Sequence, residues 1–382
     1  MRSSYSQNNT YIQCPKHWWW SYKQKLVAPE QGASLAFGSA IDNAVMALLE
    51  KNPNYLDIFE KDMQVQFAFG KKTVVFDNPD IVYSHNDFDK DILEAEDIVQ
   101  MMTWATDLNL GNRIKAGLVL YGSNATYSED LREEILKLFA KIAKTKKNPY
   151  KKLSDAEKTF FNRCSWLSLR RKGYILIDSF KQQFLPKVKN VLATQKRVSI
   201  KDQATGHSMA GFIDMVLEID GYDKPVIFDL KTAARPYTQE QIDLTPQLTL
   251  YAGMAHGEYN TDLVGYVVLC KNINKNRVNV CQKCGHIKDG RHATCNAIDA
   301  QGNRCHGQWD ETLKIEPEVQ VLVEKKSQQQ IASLFGDIGN ILVAMENEIV
   351  YKDTSKCNSW YGSKCPYFNA CHNNDTSGLV KK

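Results

Sequence analysis

The chain runs to 382 residues, enough for two to three typical domains or for one core with large insertions. Hydrophobic residues make up 43% and charged residues 24%, ordinary globular usage that excludes wholesale disorder. No apolar run approaches the ~18 residues of a membrane span, and Met1-Arg2-Ser3-Ser4-Tyr5-Ser6-Gln7 lacks the apolar stretch of a secretory signal. A cytoplasmic protein with no membrane partner is therefore expected. Its ten cysteines, clustered and in a reducing compartment, point to metal rather than disulfides.

In chain order, residues 1 to about 50 read as helical and aromatic-rich. Apolar residues recur at three- and four-residue spacings from Ile41 to Leu49, the mark of a helix with one buried face. Trp18, Trp19 and Trp20 fit packing around Cys14 better than stacking on exposed bases. Residues 89 to 195 read as mostly helical; Ser128 is placed to cap a helix with Glu129 and Asp130 in its first turn. The pattern then changes. Met209–Ile219 and Pro225–Lys231 are short, apolar and β-branched, and the turn-forming residues 220–224 between them make a hairpin. A helix is expected from about Thr238 to His256 and a strand at Leu263–Leu269. Beyond a cysteine-rich stretch, one long helix is expected from about Glu316 to Val350.

The net charge of +4 conceals an uneven distribution. Between Arg132 and Lys201 stand 19 Lys and Arg against five acids, a net +14, whereas Asp42 to Asp97 carries a net −8. This fits a polyanion track beside a carboxylate-rich surface, and fits equally two solvated helical faces.

Chemistry concentrates in the hairpin. Asp229 and Lys231 lie two apart on one strand and so share a face, while Asp214 on the partner strand can meet Asp229. Two carboxylates and an ammonium on one face suit a hard divalent cation with oxygen ligands, and the lysine can orient or help deprotonate an attacking water. Gln247 and Tyr251, at i and i+4, share one face of the helix that follows.

The series Gly211-x-x-Asp214, Asp229-x-Lys231 and Gln247-x-x-x-Tyr251 resembles the PD-(D/E)XK nucleases, and within them the RecB-like branch of phage exonucleases and CRISPR-associated iron–sulfur exonucleases. Ser6 and Cys14-Pro15 are similar to that branch's opening motif. Gly38-Ser39-Ala40-Ile41-Asp42 is similar to its next one, with Asp42 where the branch usually has a metal-binding histidine. The resemblance implies an α/β restriction-endonuclease-like core, a mixed sheet flanked by helices. It implies Mg²⁺ or Mn²⁺ held by Asp42, Asp214 and Asp229, with Lys231 catalytic and Gln247 and Tyr251 touching the backbone or ordering the site. The implied reaction is DNA phosphodiester hydrolysis, as an exonuclease in phage or prokaryotic recombination, replication or repair, with other proteins of those processes as partners. A non-hydrolytic nucleic-acid-binding or adaptor protein and a CRISPR spacer-processing nuclease are the alternatives.

Cys281-x2-Cys284-x10-Cys295-x9-Cys305 has the spacing of a tetrahedral structural Zn²⁺ site. Cys357, Cys365 and Cys371 need a fourth ligand, and the resemblance supplies Cys14. That set suits a [4Fe–4S] cluster, with Zn²⁺ as the competitor. Cys164 and Cys270 read as buried thiols. With a nuclease core implied, Lys141, Lys144, Lys146, Lys147, Lys151 and Lys152 read as DNA phosphate contacts. The chain then divides into a helical part of the core (1–85), a basic helical insertion (86–200), the catalytic core (201–275), a zinc-ribbon insertion (276–312), and a C-terminal helix with the cysteine cluster (313–382).

Overall fold

The computed structural model describes residues 2–28, 31–69, 72–75, 81–82, 88–111, 129–143, 153–201, 206–271, 274–286, 293–298, 302–316, 319–357 and 364–382. The elements that position the site are, in chain order, β1 (Arg2–Ser4), α1 (Tyr5–Gln13), α2 (Ala33–Leu49), α3 (Ala95–Asp107), α4 (Glu129–Ala143) and α5 (Asp155–Gln183). There follow β2 (Val188–Lys201), β3 (Ser208–Ile219), β4 (Val226–Ala233), α6 (Pro246–Tyr259), β5 (Leu263–Cys270), β6 (Asn274–Cys281), β7 (Trp309–Glu316), β8 (Val319–Lys325) and α7 (Gln328–Glu346).

Six strands form one mixed sheet in the order β1-β3-β4-β5-β8, with β2 also on β3. β1 runs parallel to β3, and β4 parallel to β5; the other pairings are antiparallel. Because β2 pairs along β3 from Ser208 to Ile219, β1 and β4 share the opposite edge of β3. β1 holds that edge at Ser208–Ala210 and β4 at Met215–Leu217. Between them, at Gly211 to Asp214, the edge is left open. That gap is where the functional side chains gather.

Apolar residues clothe both faces of the sheet, as a two-sided sheet under helices requires. On one face Phe228, Leu230, Val267 and Leu269 pack with Phe37, Ile41 and Val45 of α2 and with Phe180 of α5. On the other, Ile227, Val264 and Val268 pack with Leu248, Ala252 and Ala255 of α6 and Ile331 of α7. The 29-residue α5 starts at a capping box in which Ser154 and Glu157 satisfy each other's backbone N–H groups.

Three expectations change. The long helix from Glu316 to Val350 is a strand followed by a helix: β8 pairs with β5, and α7 begins only after Ser327 caps it. Val319, Val321 and Val323 alternate at period two, a strand signal hidden by the helical stretch beyond it. The helical reading up to residue 195 fails from Val188, where β2 begins. The helix expected over Thr238–His256 is interrupted at Leu244-Thr245, leaving a short turn of helix at Gln239–Asp243 and then α6.

Part of the uneven charge cancels internally. Arg170 of α5 lies 2.8 Å from Glu60, and Arg171 reaches Glu96 at 2.6 Å and buried Asp97 at 2.9 Å. Among the described residues no helix is long and apolar enough to cross a membrane.

Candidate active site

The register Met215↔Phe228 brings Asp214 opposite Asp229. An Oδ2 of Asp214 accepts the backbone N–H of Leu230 at 2.8 Å, which fixes its carboxyl against the neighbouring strand. Asp229 is 1% exposed. Its Oδ1 accepts from Gln247 Nε2 at 2.7 Å, and its Oδ2 lies 2.5 Å from Lys231 Nζ. Gln247 also donates to the Tyr251 hydroxyl at 3.3 Å. These contacts follow from local sequence. Pro246 starts α6 at its first position and Asn260 ends it in the left-handed conformation, so Gln247 lies in the first turn with Tyr251 one turn later. Gly211 is required by the same packing, since a Cβ there would stand 2.8 Å from Tyr251 Cε1.

Asp42 joins from α2. Its Oδ2 accepts from Gln195 Nε2 at 3.4 Å, and its buried Oδ1 has no hydrogen-bond partner among the described residues. Gln195 stands on β2 with a φ of 42°, between the pairs Thr194↔Met215 and Lys196↔Ile213 and hence across from Asp214.

The electrostatics mark one shared site. Burial, then the negative charges of Asp229 and Asp42, push Asp214 up to about 8. Burial and the charge of Asp229 push Asp42 up to about 6, against the Gln195 hydrogen bond. Burial raises Asp229 too, opposed by Lys231. For Lys231, burial would lower the ammonium's pKa, but Asp229 and Asp214 hold it above its ordinary value. Tyr5, at the start of α1, belongs to the same field: burial raises its hydroxyl, and Lys231 and Asp229 act on it in opposite directions.

The donor set fits a divalent cation. Three carboxyl groups with one orphaned buried oxygen offer hard oxygen ligands and more negative charge than one ammonium offsets. Sequence reasoning missed Gln195 and Tyr5. Neither belongs to a motif, and both arrive through the way β1 and β2 flank β3.

Cys281, Cys284, Cys295 and Cys305 form the tightest cluster of possible ligands among the described residues, with one ligand atom from each within 4.8 Å of the others. They sit at the tip of the hairpin made by β6 and β7, where Cys281 ends one strand opposite Trp309. Burial pushes the Cys281 thiol up, but backbone N–H groups of Cys284 and Lys283 outweigh it and bring it down to about 6, as a thiolate ligand requires. Gly307 makes room, since a Cβ there would lie 2.4 Å from Cys281 Sγ.

Cys14, Cys357, Cys365 and Cys371 line a second, small cavity of about 30 Å³ together with His17 and Phe368. Cys357 Sγ lies 3.5 Å from His372 Nε2, and Trp20 Nε1 is 3.1 Å from Cys371 Sγ. Trp18 is buried among Tyr11, Ile338 and Leu342, with Trp19 packed against that cluster, so of the three expected to pack around Cys14 it is Trp20 that reaches a cysteine of this cavity. Cys164 and Cys270 are buried thiols. Lys141 is exposed on α4; Lys144, Lys146, Lys147, Lys151 and Lys152 lie outside the described residues.

A mixed α/β sheet with a carboxylate–lysine site on adjacent strands and a glutamine–tyrosine helix behind it is the core of a nucleic-acid-cleaving protein. The family model of the PD-(D/E)XK nuclease superfamily matches residues 105–372, well over half of the chain, and the chain belongs to that superfamily. The match spans Asp214, Asp229, Lys231, Gln247, Tyr251 and the cysteine hairpin, while Asp42 and Cys14 lie before it. A comparison with curated proteins finds no match.

Proposed function

We propose that the protein is a metal-dependent DNA nuclease of the RecB-like branch, an exonuclease serving prokaryotic or phage DNA recombination, replication or repair. The observation that carries the reading is the arrangement around Asp229: Gln247 holds one carboxylate oxygen and Lys231 the other, with Asp214 across the strand pair. Asp42, Asp214 and Asp229 would hold Mg²⁺ or Mn²⁺, which when bound would polarise the phosphodiester and the attacking water.

The chain's own residues do the rest. Gln247 locks the Asp229 carboxyl in one orientation, so its second oxygen faces the site. Lys231, kept protonated by Asp229 and Asp214, supplies positive charge for the oxygens that gain negative charge as the water adds to phosphorus. In that state it stabilises charge and orients the water rather than taking its proton. Asp42 and Asp214, raised to about 6 and about 8, are the carboxyls that change protonation state around neutral pH.

The hairpin cysteines would hold a structural Zn²⁺. Cys14, Cys357, Cys365 and Cys371 would hold a [4Fe–4S] cluster joining the two ends of the chain. The enzyme's substrate would be DNA and its compartment the cytoplasm.

End-labelled single- and double-stranded DNA incubated with Mn²⁺ tests this reading. Wild type should cut, and Lys231→Ala and Asp229→Ala should each lower the rate by about 10²- to 10⁴-fold. No cutting by wild type, or equal cutting by the variants, rejects it. Strand shortening from labelled ends, against internal nicking of a closed circle, separates exonuclease from endonuclease.

A further inference from the structure

The open edge of β3 leads into a cleft of about 540 Å³ beside the carboxylates. Its walls come from β1 and the start of α1, from Ala210 to Phe212 of β3, from Arg197 of β2 and from Tyr251 of α6. The cleft therefore shares Tyr251 with the candidate active site, and Tyr5 on its wall lies in the field of Lys231 and Asp229.

Phe212 is the anomaly in this wall. It sits in mid-strand two positions before Asp214, yet it is 59% exposed, while Gly211, Ile213 and Met215 around it are buried. A phenylalanine left in water at the mouth of a polar cleft contributes little to the core. Its cross-strand partner is Arg197, so the ring and the guanidinium project side by side from the same face. Arg197 and Arg2, the cations of the cleft, form no ion pair among the described residues. An exposed ring, two cations with no ion-pair partner among the described residues and a neighbouring carboxylate site match the needs of a single nucleic-acid strand: a face for a base and charge for its phosphates. A duplex would offer the ring no free base face.

We propose that Phe212 is a stacking platform for an unpaired nucleobase next to the scissile phosphate, with Arg197 and Arg2 gripping the adjoining phosphates, so that the enzyme acts on single-stranded nucleic acid. The inference rests on the nuclease reading and deepens it by naming the strand state of the substrate. Stacking is indifferent to base identity, because every base has a π-face. The cleft therefore selects unpaired strands and not sequences.

The test is equilibrium binding of the full chain, with divalent cations chelated so that nothing is cut. The probes are a fluorescent oligothymidine of about 12 nucleotides, a base-free deoxyribose-phosphate strand of the same length, and a blunt duplex. Wild type should prefer the oligothymidine to both others. Phe212→Ala should weaken oligothymidine binding by about 5- to 100-fold and leave the base-free strand unchanged, and Phe212→Trp should retain binding. Arg197→Ala should weaken both single strands alike and flatten the salt dependence of binding by about one phosphate's worth.

Oligothymidine binding by Phe212→Ala equal to wild type overturns the proposal. So does an equal loss on the base-free strand, or a wild-type preference for the duplex. Because cutting plays no part in this readout, its failure leaves the nuclease reading to stand or fall by the Mn²⁺ assay on Lys231→Ala.

Discussion

Asp42, Asp214 and Asp229 crowd three carboxyl groups around one ammonium, and the folded chain answers by holding protons. Asp214 is pushed up to about 8 and Asp42 to about 6, first by burial and then by each other's neighbours. A carboxyl raised above its unfolded pKa of 3.8 makes the native state bind protons more tightly than the unfolded state. Its contribution is therefore greatest in acid and is lost as pH rises. The chelator-treated protein should melt at progressively lower temperature as pH climbs from roughly 4 to 8. Asp214→Asn should flatten that slope, and Mn²⁺ should restore stability at the alkaline end. Thermal unfolding across pH, with and without the ion, checks all three. Asp214, Asp229 and Lys231 were legible because the spacings Gly-x-x-Asp and Asp-x-Lys are short-range facts of one hairpin, whereas Asp42, on α2, was reached only through the resemblance of Gly38-Ser39-Ala40-Ile41-Asp42 to a family motif. Gln195 and Tyr5 were not, because what brings them to the site is the pairing of β1 and β2 with β3, long-range contacts that no local spacing records.

At the scale of elements, the strand pair β3–β4 and the helix α6 were readable from alternation, turn residues and helical spacing. β8 was missed, and so was β2. β8 carries the alternation of Val319, Val321 and Val323, but the helical stretch of α7 follows at once and masks it, whereas β2, at a sheet margin, is mostly exposed and shows little apolar alternation. The hairpin β6–β7 illustrates a different dependence. Its tip brings four cysteines within 4.8 Å of one another, and its turns close through backbone bonds such as Cys295 N–H to Gly307 O at 2.8 Å. Little apolar burial supports that tip, so metal should supply its order. Metal analysis should find one zinc here per chain. Cys305→Ser, or prolonged chelation, should open the segment 281–309 to protease while the sheet remains folded. A tip that stays resistant after loss of its metal would show that the hairpin holds itself.

For the whole molecule, the two ends of the chain are tied to each other. Leu26–Val27 pairs with Val380–Lys381, Tyr367 donates its hydroxyl to Leu26 O at 2.8 Å, and Lys16 N–H bonds Tyr351 O at 3.0 Å. Cys14 from one end and Cys357, Cys365 and Cys371 from the other share one cavity at this junction. A cluster bound there would close the long loop from Cys14 to Cys371, and a loop of that length leaves more unfolded-state entropy to remove than a short one. If it is iron–sulfur, the purified protein should be brown, with broad absorbance near roughly 400 nm. Cys365→Ser should abolish the colour and lower the melting temperature by several degrees. A colourless wild type with two zincs per chain would assign Zn²⁺ to this site instead.

The sequence by itself determined the nuclease core and its chemical groups. The carboxylates, the lysine and the glutamine–tyrosine pair lie within about forty residues, where strand and helix periodicity dictate which side chains share a face. It determined the hairpin thiols for the same reason, since their spacing is local. Only the tertiary structure decided what surrounds them. Asp42 reaches the site through the packing of α2, and the cleft opens because β1 and β4 divide one edge of β3. Arg170 and Arg171 spend their charge on Glu60, Glu96 and Asp97 rather than facing a polyanion. Those outcomes depend on contacts between residues tens to hundreds of positions apart, and burial and charge there are properties of the assembled fold, not of any segment read alone.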